Sequence, residues 1–146
     1  MSQFRTEEDT LGPVQIPQEA LWGPQTERSR HNFPTGQFMP LAIIRALLNI
    51  KKAAAQANLE LNQIDEAKGK LIIEAIDQLL ALPDDDLRKD FPLKVYQTGS
   101  GTQTNMNTNE VVANLAKRLN PDVTVLPNDD VNKGQSSNDV YPTAMN

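Results

Sequence analysis

The run from Leu41 to Leu82 constrains the fold of this chain more than any other. Pro40 suits the first position of a helix, where its missing N–H breaks no bond. From Leu41 to about Leu59 the residues favour helix, with Ala53, Ala54, Ala55 and Ala57 among them. Apolar side chains fall on more than one face, which predicts a largely buried helix. Asn62 or Asp65 caps a second helix. There Ile64, Ala67, Leu71, Ile72, Ala75, Ile76, Leu79 and Leu80 form a single stripe at about 3.6-residue spacing. The stripe ends at Leu82-Pro83, and the two helices read as an antiparallel pair. With 146 residues the chain has room for one domain with a real core.

The remaining segments are shorter. Phe4 to Glu8 and Val14 to Ile16 flank the turn signals of Thr10-Leu11-Gly12-Pro13 and pair as a small hairpin. Residues 21 to 40 are broken by Gly23-Pro24, Pro34 and Pro40 and read as irregular. Arg28 lies among them; it can bind an anion or simply be solvated. His31 is the only histidine, has no carboxylate or second histidine nearby, and is given no catalytic role. Asp84-Asp85-Asp86 after Pro83 reads as a solvated helix start, with acids at the end that favours them. Val95-Tyr96-Gln97 and Val123-Thr124-Val125-Leu126 read as extended.

Between the last two lies the most unusual stretch, Thr98-Gly99-Ser100-Gly101-Thr102-Gln103-Thr104-Asn105-Met106-Asn107-Thr108-Asn109-Glu110. An amphipathic run from Val111 to Leu119 comes directly after it. The pattern reads as a polar loop opening into a helix N-terminus, which offers free N–H groups and a partial positive charge to an anion. Hydroxyls add neutral donors. An ordinary turn with an N-cap fits the same composition. Asn105, Asn107 and Asn109 tilt the balance, because asparagine is a poor helix former and no packing return is evident for three of them. Ser136, Ser137 and Asn138 repeat the device, capping a helix that tolerates Pro142 in its first turn. Two such starts facing one cavity suit a ligand with two carboxylates.

Composition excludes several classes. A net charge of −5 argues against a general nucleic-acid surface. Cysteine is absent, which removes disulfides, thiolate metal sites and cysteine nucleophiles and fits a reducing cytoplasm. Leu41 to Ile50 is the longest apolar stretch. It is interrupted by Arg45 and too short for a membrane span.

Four segments together resemble class II fumarase of the fumarase/aspartase superfamily. Trp22-Gly23-Pro24-Gln25-Thr26-Glu27-Arg28-Ser29 matches its N-terminal region, and Gly99 to Glu110 its first signature. Pro127-Asn128-Asp129-Asp130-Val131-Asn132-Lys133 and Gln135-Ser136-Ser137-Asn138-Asp139-Val140-Tyr141-Pro142-Thr143-Ala144-Met145 resemble the family's segments C-terminal to that signature. The resemblance runs in order over essentially the whole chain. Aspartate ammonia-lyases of the superfamily usually carry Gly-Ala-Gly-Thr-Ser and Gln-Ser-Thr-Asn; the Gly-Ser-Gly-Thr-Gln and Gln-Ser-Ser-Asn forms here favour fumarase.

The resemblance implies reversible hydration of fumarate to L-malate, a step of the tricarboxylic acid cycle, with no cofactor and no metal. Ser100, Gly101 (through nearby backbone N–H groups), Thr102, Ser136, Ser137 and Asn138 would bind substrate carboxylates. Preorganised donors there stabilise the aci-carboxylate that forms on proton removal. Leu126, Pro127, Asn128 and Asp129 match a secondary dicarboxylate site, departing at Leu126, where a histidine is usual. The family's catalytic serine, on a flexible loop, lies in a central helical domain, as do its Thr-His pair and its lysine and asparagine. None of these is expected within residues 1–146; the resemblance puts all catalytic groups downstream of Asn146.

The expectation is therefore a mainly α fold with a small β-hairpin. It is the N-terminal fumarase/aspartase-like domain, residues 1–146, with 135–146 beginning the first helix of the central domain. Alone it would be an inactive fragment of a cytoplasmic homotetramer with no nucleic-acid or membrane partner. An ammonia-lyase and a non-catalytic interaction fragment stay open as alternatives.

Overall fold

The computed structural model describes residues 3–9, 11–24, 26–28, 39–91 and 100–132; of residues 9, 100–103 and 128 the backbone alone is described. Two strands, β1 (Phe4–Asp9) and β2 (Gly12–Pro17), form the antiparallel hairpin, with Phe4 opposite Pro17 and Asp9 opposite Gly12. The strands run further into the turn than the sequence suggests. Ile16 is the residue of β2 that enters the core.

Beyond the short helical stretch at residues 24 and 26–28, four longer helices are seen among the described residues: α1 (Leu41–Glu60), α2 (Glu66–Leu80), α3 (Asp84–Asp90) and α4 (Ser100–Leu119). Pro40 occupies the entry to α1. Asp65 caps α2, its Oδ2 accepting from the N–H groups of Ala67 and Lys68 at 3.1 and 3.3 Å. Asn62, the other candidate cap, instead takes a positive φ of 55° in the α1–α2 loop, a conformation asparagine tolerates.

The α1–α2 pair is antiparallel, as its contacts show. Arg45 near the start of α1 donates to the carbonyls of Leu80 and Leu82. Lys52 pairs with Asp77 at 2.7 Å, and Leu59 near the end of α1 lies against Gly69. The expectation of a largely buried α1 is corrected. Ile44, Leu47, Leu48, Lys51, Ala55 and Asn58 are buried, while Ala53 and Ala57 face solvent. Alanine supplies helix propensity on the outer face, not packing.

The core gathers Ile44 and Leu48 of α1, Ile72 and Ile76 of α2, Leu87 of α3, and Val111, Val112 and Ala116 of α4. Trp22 and Phe91 belong to the same core. After α4, residues 123 to 126 are non-helical, with Leu126 extended as the sequence suggests, but they pair into no strand among the described residues, and Pro127–Val131 make one π-helical turn. Residues 24 and 26–28 are helical, where the breakers suggested irregular chain. Among the described residues no helix is long and apolar enough to cross a membrane.

Candidate functional site

From Ser100 onward, where the described residues resume, the polar stretch is not a loop before a helix. It is the first half of α4, which begins at Ser100. Ser100, Gly101 and Thr102 therefore occupy the first turn, whose backbone N–H groups have no partner within the helix. That turn carries no acid, and Lys117 and Arg118 sit in the last turn, so side-chain charge complements the helix dipole at the far end. Four further sequence readings lie outside the described residues. They are the second donor set of Ser136, Ser137 and Asn138, the helix start from 135 to Asn146, His31, and the Val95-Tyr96-Gln97 lead.

The asparagines do have a packing return, which corrects the sequence reading. Thr104, Asn105, Asn107, Thr108, Asn109 and Glu110 are all buried. Asn107 Nδ2 donates to the carbonyl of Asp90 at 3.2 Å and so ties α4 to the end of α3. Asn105 Nδ2 donates to Asn132 Oδ1 at 3.1 Å. Two acceptors stay without a protein partner among the described residues: Oδ1 of Asn105 and Oδ1 of Asn109. They belong to residues four apart, on one face of the helix.

Glu110 ends this polar run. Its Oε1 accepts from the N–H groups of Gly23 and Thr26 and from the Thr26 hydroxyl. A carboxylate is well suited to gather converging N–H groups at the head of a helical turn. It approaches the chain so closely that a Cβ on Gly23 would stand 2.6 Å from Oε2. Next to it Trp22 Nε1 donates to Glu27 Oε1 at 2.9 Å. Arg28, a candidate anion ligand in the sequence, donates to the carbonyl of Gly12 at 2.8 Å.

A second polar cluster joins α1, α2 and the π turn. Lys51 of α1 is fully buried, and its Nζ donates to Asn132 Oδ1 at 3.2 Å. Burial pushes its pKa down from 10.5 to about 7. Lys68 of α2 pairs with Asp130 of the π turn at 3.4 Å. The Leu126 N–H donates to the same carboxylate at 2.8 Å. Leu126 is itself exposed, as is Asp129, and the π turn carries acids and no base in its first turn. Lys51 does not stand out in the sequence, because a lysine on an amphipathic helix reads as solvated.

A cleft of about 320 Å³ lies along the second half of α4, away from its first turn. Glu7, Gly23, Glu110, Asn114, Lys117 and Leu126 are among its walls. Among the described residues no group of three or more His, Asp or Glu is placed to hold a metal ion.

A family model described as Lyase matches residues 12–146. The chain belongs to this lyase family. It is 56% identical over 147 residues to a class II fumarate hydratase of Myxococcus xanthus, covering 97% of this chain and 31% of that protein. It is 52% identical over 151 residues to one of Nitrosomonas europaea, covering 99% of this chain and 32% of the relative. Its fold is similar to a solved recombinant class II fumarase of Schistosoma mansoni, with a TM-score of 0.90 at 43% identity, over 98% of this chain and 31% of that one. The chain thus spans about a third of the length of the relatives it matches. The mainly α fold with one small hairpin is that of these lyase structures.

Proposed function

We propose that this chain is the N-terminal part of a class II fumarate hydratase and supplies its substrate-carboxylate-binding elements. The observation that carries the reading is the start of α4. It sets Ser100, Gly101 and Thr102 on a first turn whose N–H groups the helix itself leaves free. A buried polar face follows on which two acceptors, Oδ1 of Asn105 and Oδ1 of Asn109, have no protein partner among the described residues. The hydroxyls of Ser100 and Thr102 and the N–H groups near Gly101 bind one carboxylate. Ser136, Ser137 and Asn138 bind the other, at the start of the central domain that residues 135–146 begin. Neutral donors fit a reaction that builds charge on a carboxylate, since they strengthen as that charge develops. Catalytic proton transfer belongs to the part of the enzyme downstream of Asn146, so residues 1–146 alone turn nothing over. A secondary dicarboxylate site at Leu126, Pro127, Asn128 and Asp129, the homotetramer and the cytoplasmic location go with the same reading.

The test uses the full-length enzyme. Fumarate, followed by its ultraviolet absorbance, should form from L-malate and not from L-aspartate. Formation from aspartate instead would make the protein an ammonia-lyase. Thr102→Ala and Ser137→Ala should each weaken dicarboxylate binding roughly 10- to 100-fold, the loss expected for a hydrogen bond to a charged group. Unchanged affinity in both variants would remove the carboxylate-binding role.

A further inference from the structure

Asn105 lies three residues after Thr102 and four after Gly101, so it sits on the same face of α4 as the first turn. Its amide orientation follows from a chain of donors and acceptors that starts at Lys51. The Lys51 Nζ donates to Asn132 Oδ1, 3.2 Å away, so that oxygen and not the Nδ2 of Asn132 faces the lysine. The same Oδ1 lies 3.1 Å from Asn105. Since that oxygen accepts, Asn105 must present its NH₂ to it. The carbonyl Oδ1 of Asn105 is thereby directed elsewhere. There it meets no protein donor among the described residues, although Asn105 is only 3% exposed.

A buried acceptor left unmade costs about 1–3 kcal/mol. Such a group in a native structure calls for an explanation, and completion by a bound molecule is one. We propose that the Asn105 carbonyl accepts the hydroxyl hydrogen of a 2-hydroxydicarboxylate, and that Lys51 and Asn132 hold it in that orientation. The inference rests on the functional reading above and deepens it. Ionised carboxylates offer acceptors only, and the serines and threonines answer them. The hydroxyl of malate is the one donor that distinguishes it from fumarate or succinate, and it needs an acceptor. An amide suits this place better than a carboxylate. It does not repel a dianion, whereas an aspartate in place of Asn105 would also set a second acceptor against Asn132 Oδ1. The contact is a hydrogen bond alone and involves no proton transfer. Lys51 and Asn132 are positioning residues that never touch the ligand.

The experiment compares ligands on the intact full-length enzyme and needs no variant at first. L-malate, succinate and 2-fluorosuccinate are competed against one another. Fluorine fills the space of the hydroxyl but donates no hydrogen. The expected result is that malate binds roughly 3- to 10-fold more tightly than both analogues, the range for one neutral hydrogen bond. Asn105→Ser, which keeps a donor for Asn132 but lacks the amide carbonyl, should erase that advantage and leave succinate affinity within about twofold. Lys51→Met should reduce the advantage in part. Equal binding of malate and 2-fluorosuccinate by the unaltered enzyme would overturn the proposal. So would an equal loss of malate and succinate affinity in Asn105→Ser, which would mean that another segment of the protein donates to Asn105. If the unaltered enzyme binds none of the three acids, the functional reading itself has failed, a result seen before any variant is made.

Discussion

Oε1 of Glu110 accepts hydrogen bonds from both the backbone N–H and the hydroxyl of Thr26, at 3.0 and 2.5 Å, across 84 residues of sequence. The Gly23 N–H completes the set at 3.1 Å. One carboxylate thus fixes the chain at 23–26 against the middle of α4. Glu110→Ala leaves these donors buried and unpaired and should lower stability by about 2–4 kcal/mol; Glu110→Gln, which keeps one acceptor, should cost about 1–2 kcal/mol. Gly23→Ala drives a methyl into Oε2 and should cost a similar amount. Because the two residues touch, the double variant Gly23→Ala/Glu110→Ala should cost clearly less than the sum of the single changes. Urea unfolding of the natural protein, the two single variants and the double measures this, and simple additivity would mean that the contact is not made.

Gly69 offers a different balance. It is buried in α2, and a Cβ there would collide with Cδ2 of Leu59 and stand 2.6 Å from its Cγ. Alanine in a helix interior gains about 1 kcal/mol over glycine in propensity. Overpacking costs about 1–3 kcal/mol. Gly69→Ala should therefore be neutral to destabilising in the natural chain. In a Leu59→Ala background the clash is gone and the same change should stabilise by up to about 1 kcal/mol. Thermal unfolding of the pair decides it; a destabilising Gly69→Ala in both backgrounds would contradict the contact.

Periodicity and caps make the α1–α2 pair legible, because a stripe at helical spacing and an Asp cap are local signals. The hairpin is legible for the same reason. The start of α4 is not, since asparagines with poor local propensity are held there by tertiary bonds to Asp90 and Asn132 that no local pattern encodes. Lys51 is hidden because its burial depends on Asn132, 81 residues away. Residues 123–126 have the composition of a strand but no neighbouring strand to pair with among the described residues. Ser100 and Thr102 are marked by their hydroxyls, and with Gly101 by their place before an amphipathic run. Asn105 is marked only as a poor helix former, and no local pattern pairs it with Asn132.

Two buried charges should write opposite slopes into the pH dependence of stability. Lys51 has a pKa of about 7 when folded, against 10.5 ordinarily, through loss of solvation. Between those values the unfolded chain holds a proton that the folded one has released. Stability from this group therefore rises with pH across that window, by up to about 1.4 kcal/mol per unit, and is flat below it. Asp90 is the reverse. Burial raises its pKa from 3.8 to about 6, with Arg118 opposing the shift and Asp86 adding to it. The folded chain holds the extra proton between those values, so stability from Asp90 falls as pH rises through them. Subtracting the profile of Lys51→Met from that of the natural protein should leave the first slope, and Asp90→Asn the second. Flat difference profiles would mean that neither group is desolvated.

Arg5 provides the last test, with a built-in reporter. Its guanidinium donates to the carbonyls of Pro17, Ala20 and Trp22 at 2.9, 2.7 and 2.6 Å, and more weakly to Gln18. One planar fork therefore satisfies the backbone as it leaves β2 and crosses toward the core, where sheet and helix bonds are lacking. Lysine carries the same charge but a single point donor, and it cannot span carbonyls spread over these residues. Arg5→Lys should cost about 1–3 kcal/mol and Arg5→Ala somewhat more, since each removes charged donors from carbonyls that keep at most weaker ones, the Ala20 N–H on Pro17 and Arg118 on Ala20. Trp22 is the only tryptophan and is 8% exposed, with its indole N–H on Glu27. Loosening of this crossing should expose it. Its fluorescence should shift to the red in Arg5→Ala at denaturant concentrations where far-ultraviolet circular dichroism still reports intact helices. If fluorescence and circular dichroism change together, Arg5 stabilises the whole fold and not this crossing in particular.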